Sequence, residues 1–115
     1  MKVPGVFKNA DTIRDVPAGT VIFDLGSTGD EMYGVVEGEV EVTLPSGRVR
    51  RIGPDETFGE MGLINSTPRS GTAVASMDTK LAIINRRTFL FLVHETPMFA
   101  LQVMGSIADR LRTQD

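Results

Sequence analysis

Between Thr20 and Asn85 the chain is written in short β-branched runs that end in turn residues at fairly even intervals. That spacing is the signature of an antiparallel sandwich or barrel. The runs are Val21-Ile22-Phe23, Met32 to Val36, Val40 to Leu44, Arg48 to Ile52, Thr72 to Ala75 and Leu81 to Ile84. In Val40-Glu41-Val42-Thr43-Leu44 apolar and polar residues alternate, so Val40, Val42 and Leu44 share one buried face. Pro45-Ser46-Gly47 joins two runs as a tight hairpin. The 12 glycines and 6 prolines supply the many turns such a fold needs and argue against a helix bundle.

The flanks read differently. Residues 1 to 19 place Pro4, Gly5, Pro17 and Gly19 around Val6, Phe7, Ala10 and Ile13, a short helical turn and a loop docked by Phe7. After Asn85, Phe89, Leu92 and Val93 fall at helical spacing. Glu95-Thr96-Pro97 then breaks the helix, with Thr96 as N-cap and Pro97 as first position of a second helix to about Arg112. Ala100, Met104, Ile107, Ala108 and Leu111 form one apolar stripe along it.

At 115 residues the chain builds one ordinary core. With no cysteine and the single His94, it offers neither a disulfide framework nor a histidine-rich or thiolate metal centre, so no metal and no cofactor is expected. His94 sits near a helix end, where a cation suits the dipole, and is given no chemistry. Met98 and Met104 are read as packing residues. No apolar run reaches membrane length and no signal-peptide pattern opens the chain, so a cytoplasmic protein without membrane contact is expected. The net charge of −3 has the wrong sign for gripping nucleic acid phosphates. The one basic cluster, Arg48, Arg50 and Arg51, lies in a strand run and reads as a solvated edge.

One segment carries chemistry: Phe58-Gly59-Glu60-Met61-Gly62-Leu63, a loop, then Pro68-Arg69-Ser70-Gly71-Thr72-Ala73-Val74. Glycines around a short helical turn expose backbone N–H groups that attract an anion, and Arg69 adds a planar cationic fork suited to phosphate. Glu60 would repel a phosphate placed beside it, so its best partner is a sugar hydroxyl nearby. A phosphate with a ribose is a nucleotide. On residue chemistry alone, an ordinary turn with a surface Glu–Arg pair of little weight competes with this reading.

The segment resembles the phosphate-binding cassette of the cyclic nucleotide-binding domain family, which includes catabolite-activator type regulators, regulatory subunits of cyclic AMP-dependent kinase and cyclic nucleotide-gated channels. The resemblance extends to Ala18–Phe23, Gly29–Tyr33, Val36–Val42 and Ile107–Leu111, nearly the whole chain. It implies an antiparallel β-barrel or jelly roll, mainly β, with a short cassette helix and two C-terminal helices, as a single stand-alone domain over residues 1–115. It also implies the ligand site. Glu60 accepts from the ribose 2′-hydroxyl, Arg69 pairs with an exocyclic phosphate oxygen, and the N–H groups of Gly62 and Ser70 hold the other oxygens. Gly59 admits the ribose, Met61 completes the cassette turn, Val42 and Val49 wall the base, and Arg110 reaches back to Glu60. Ser70 could also bond the 2-amino group of a syn guanine. That leaves the base open, with cyclic AMP placed ahead of cyclic GMP.

Gly71 departs from the family's usual alanine and frees the backbone there. No DNA-binding, kinase or channel segment accompanies the cassette, so the expected role is a sensor that signals through an effector protein not identified by the sequence, or by homodimerisation through the C-terminal helix. The alternative is a degenerate domain of the same fold that serves only as an interaction or dimerisation surface. An enzyme is not expected: cupin-like barrels and phosphodiesterases need several metal ligands or a general base at the phosphate.

Overall fold

The computed structural model describes residues 2–8 and 10–114; Met1, Asn9 and Asp115 of the expected domain lie outside the described residues. The order is β1 (Ile13–Val16), β2 (Val21–Phe23), β3 (Met32–Glu37), β4 (Val40–Thr43), β5 (Val49–Ile52), β6 (Thr57–Phe58), α1 (Glu60–Asn65), β7 (Thr72–Ala75), β8 (Thr79–Ile84), α2 (Arg86–Glu95) and α3 (Met98–Gln114). Two antiparallel four-stranded sheets result, ordered β1-β8-β3-β6 and β2-β7-β4-β5. Chain-order neighbours repeatedly change sheet, the interleaving of a jelly roll.

The core has two layers because β3 and β8 are covered on both faces. Toward the facing sheet they send Tyr33, Val35, Leu81 and Ile83, which pack with Val40, Ile52, Phe58 and Ala73. Toward the helices they send Met32, Ala82 and Ile84, which pack with Phe7, Leu92, Phe99 and Val103. A strand buried twice shows no polar alternation, which is why Leu81 to Ile84 is continuously apolar. The Pro45-Ser46-Gly47 hairpin forms as expected, with Gly47 N–H donating to Leu44 O at 2.9 Å.

Two strands were not visible as runs. Residues 13–16, read as loop, form edge strand β1 on β8, with Ile13 opposite Ala82 and Val16 opposite Thr79. The two-residue β6 exists through its pairing to β3, Tyr33 with Phe58 and Gly34 with Thr57. The docking role of Phe7 is present in full: it is buried, its ring meets Phe99 edge-on at 5.6 Å, and a Cβ on Gly34 would stand 2.6 Å from it. Small residues at Gly34 and its partner Ala82 open the seat for that ring.

The C-terminal stripe does not act as one face. Phe99, Val103 and Ile107 turn inward, spaced by four, while Met104 and Leu111 are exposed and Ala108 is on the outside too. Met98 is also exposed, so neither it nor Met104 is a packing residue. Thr96 closes α2, its N–H donating to Leu92 O at 2.8 Å, and its own carbonyl accepts from Phe99 N–H at the start of α3.

Truncating Phe7 to alanine should lower unfolding free energy by about 3–5 kcal/mol, and the melting temperature by at least about 10 °C. A thermal melt with almost no shift would show that the N-terminal turn is not part of the core.

Candidate functional site

Arg69 is the only arginine whose whole side chain is buried among the described residues. Three glycines make room for it: a Cβ on Gly29 would lie 2.6 Å from Nη2, and one on Gly59 or Gly62 would lie 2.9 or 2.5 Å from Nη1. Gly59, in the left-handed region at φ 78°, turns the chain from β6 into α1 and leaves its carbonyl facing the guanidinium. Nη1 donates to Gly59 O at 3.0 Å and Nη2 to Glu31 O at 2.8 Å, with Phe23 beneath at 4.4 Å from ring centroid to Cζ. The backbone is clamped as well, Arg69 N–H donating to Ser27 O and Gly26 N–H to Arg69 O. Among the described residues Nε has no partner, and no carboxylate lies within ion-pair distance of the group. A buried cation is costly unless an anion compensates it.

Across the same cavity Glu60, 1% exposed, has one oxygen on Arg110 Nη1 at 3.4 Å and the other, Oε1, without a partner. Arg110 reaches in from α3 and also donates to Ser70 Oγ at 3.2 Å. One cavity thus holds an orphan donor on a cation and an orphan acceptor on a buried acid. That pair fits a ligand with an anionic acceptor group and a neutral hydroxyl donor, not two like groups.

The lining brings together Val42, Gly59, Glu60, Met61, Gly62, Arg69, Ser70 and Arg110 of the residues expected from sequence. Val49 is the exception. The register pairs Val42 with Arg50 and Val49 with Thr43, so Val49 faces outward at 45% exposure, while Arg50 and Ile52 take the inner wall. Arg50 is accordingly no solvated edge residue; burial and then the like charge of Arg110 lower its pKa from the ordinary arginine value. Arg51 keeps the outward place, held by Glu41 at 2.8 Å. Burial likewise raises the Tyr33 hydroxyl, with the nearby Arg69 charge opposing it. The Gly62 N–H is engaged in the first turn, donating to Gly59 O at 3.2 Å. At Gly71 a Cβ would meet Thr43 O at 2.8 Å, so glycine allows a close strand approach here.

Sequence reasoning passed over Phe23, Gly29, Arg50, Ile52 and Thr57, whose hydroxyl is also without a partner. Gly29 and Phe23 lay in the stretches of resemblance, but only the fold shows them touching Arg69. The free interior of the cavity is about 30 Å³, room for a few waters.

A jelly roll with one buried cation and one buried acid facing each other defines a binding module for a small anionic ligand with a hydroxyl, and comparison gives its kinship. The profile of the cyclic nucleotide-binding domain matches residues 13–96, and the chain belongs to that family. It is similar to the cyclic AMP receptor protein of Thermus thermophilus, 38% identical over 107 residues, which are 89% of this chain and 50% of that one. A cyclic nucleotide-gated potassium channel of Mesorhizobium japonicum is 41% identical over 76% of this chain and 24% of its own length. The chain therefore spans half or less of these curated relatives. A solved structure described under "A cyclic-GMP-dependent signalling pathway regulates bacterial phytopathogenesis" superposes with TM-score 0.78 at 31% identity, covering 93% of this chain and 89% of that one. No described helix is long and apolar enough to cross a membrane.

The Arg110–Glu60 contact joins α3 to the cassette, beside the bond from Arg110 to Ser70 and the packing of α3 in one cluster with Leu63. A double-mutant cycle of Arg110→Ala and Glu60→Gln, read by urea unfolding, should give a coupling of about 1–2 kcal/mol. Strict additivity would show the two groups to be energetically independent.

Proposed function

We propose that the chain binds a 3′,5′-cyclic purine mononucleotide and acts as a regulatory sensor in the cytoplasm, without catalysing a reaction of its own. The observation that supports this most is the buried Arg69 with no carboxylate and an unpartnered Nε, set opposite the unpartnered Oε1 of Glu60. A cyclic nucleotide answers both: its single phosphate charge compensates Arg69, and its ribose 2′-hydroxyl donates to Glu60. Ser70 N–H and Gly62 N–H hold the remaining oxygens, the latter giving up its turn bond to Gly59. Because the free interior is small, entry requires Arg110 to leave Ser70, which couples ligand to the position of α3.

The output passes through an effector protein or through self-association. Exposed Leu101, Met104, Ala108 and Leu111 are spaced by three, four and three along α3, the seam that pairs a helix with a second copy of itself. A degenerate domain kept only for such contacts would have no use for a buried unpaired cation. The order of adenine and guanine, which the resemblance puts in favour of cyclic AMP, turns on the base wall where Arg50 stands.

Calorimetry with cyclic AMP and cyclic GMP should show binding, and Arg69→Ala should abolish most of it. Glu60→Gln should weaken the ribonucleotide but hardly affect its 2′-deoxy analogue, because the carboxylate's partner is then already gone. No heat and no thermal stabilisation from either nucleotide at large excess, where several kcal/mol of stabilisation is expected, would contradict the sensor reading.

A further inference from the structure

A second and larger cavity opens between β5, the start of β6, the N-terminal segment and α3, with a free interior of about 290 Å³. It shares Arg50, Ile52 and Thr57 with the cavity described above, but Glu60, Arg69 and Ser70 take no part in its lining. Its walls are stitched together by Gln102, a buried side chain of α3. The amide oxygen of Gln102 accepts from Val3 N–H at 2.8 Å, and its amide nitrogen donates to Asp55 O at 2.7 Å. Asp55 Oδ1 in turn accepts from Gly5 N–H at 3.1 Å. Three segments far apart in sequence are thus fixed around a space close to the lower end of the range for small-molecule sites, about 300–1,000 Å³.

The acids that border this cavity are engaged, whereas several of its donors are not. Glu56 Oε1 accepts from Gly53 N–H at 2.7 Å, and Asp109 Oδ1 accepts from Arg112 at 2.8 Å. Arg51 is held by Glu39 and Glu41. Among the described residues, Lys2 and Arg50 make no hydrogen bond and no ion pair, and the Ser106 hydroxyl has no partner. The hydroxyl of Thr57, a residue only 5% exposed, is also without a partner. A buried donor left unpaired destabilises the fold, so a ligand that supplies its acceptor gains that energy. Two cations and two hydroxyls therefore border one space. A phosphate monoester brings about −1.5 to −2 charges and three strong acceptor oxygens, enough to meet all four, whereas a carboxylate brings one charge and two oxygens. We propose that this cavity is a second binding site, for a small phosphate monoester whose phosphate is held by Lys2, Arg50, Thr57 and Ser106. The site is separate from the cassette and does not rest on the nucleotide reading.

Nitrogen-15 NMR titration of the whole chain with glycerol phosphate at constant ionic strength tests this. The backbone amides of Thr57, Gln102 and Ser106 should shift together along one saturable curve. Thr57→Val, which keeps the outline of the side chain, and Lys2→Ala, which alters an exposed residue, should each weaken binding by about three- to tenfold. Thr57→Ser, which retains the hydroxyl, should bind as wild type does. Thermal melts establish that the variants fold; if Thr57→Val does not, Lys2→Ala and Ser106→Ala carry the test with the same expected loss. Shifts that grow linearly without saturation would reveal only a diffuse ion atmosphere and overturn the assignment. Saturable shifts confined to residues 59–70 would place the phosphate at the cassette and overturn it too, as would curves unchanged in the variants. None of these failures touches the nucleotide reading, which stands or falls on the cyclic nucleotide titrations.

Discussion

The guanidinium of Arg69, lying between Phe23 and three glycines and bonded to two main-chain carbonyls, ties together segments far apart in sequence. It fixes the loop that follows β2, the entry to α1 and the approach to β7 in one arrangement. Its own backbone bonds to Gly26 and Ser27 make the clamp reciprocal. Each of those glycines is explained by the space the side chain requires, so the cassette is organised around one buried charge. The fold holds that charge in place but does not neutralise it, and this is the physical reason for expecting an anionic ligand.

The two-sided burial of β3 and β8 connects this site to the helices. The same strands that put Tyr33 and Ile83 in the sandwich put Met32 and Ile84 under Phe99 and Val103. α3 is therefore seated on the sheet through its first turns, while Arg110, further along, spans to Glu60 and Ser70. Anchorage at one end and polar contact with the site at the other are the arrangement through which, in the proposed function, a ligand biases the helix by competing for Glu60 and Ser70. The exposed seam from Leu101 to Leu111 lies on the same helix, so the site and the surface available to a partner share one element.

Much of this was legible in the sequence, and the misses have physical causes. Strands with strong β-branched runs announced themselves; β1 did not, because an edge strand with Arg14 and Asp15 at its centre owes its form to the ladder with β8. β6 is two residues long and has no period to detect. In the site, the cassette residues came from motif, spacing and the family resemblance together, and Arg110 from the resemblance alone. Val49 was misplaced because a one-residue difference in strand register exchanges the two faces, giving the inner wall to Arg50. No local pattern could show that Gly29, forty residues before Arg69, makes its slot, since that contact exists only after both sheets close.

The central claim is that Arg69 is a prebuilt phosphate ligand held ready by the fold. Nitrogen-15 NMR of the arginine Nε–H groups, with the Arg69 signal assigned by its loss in Arg69→Lys, tests it most directly. Titration with a cyclic nucleotide should move the Arg69 Nε–H resonance in proportion to occupancy, as an unpartnered donor acquires a charge-assisted bond. Saturable binding with that resonance unmoved would place the phosphate elsewhere and contradict the account.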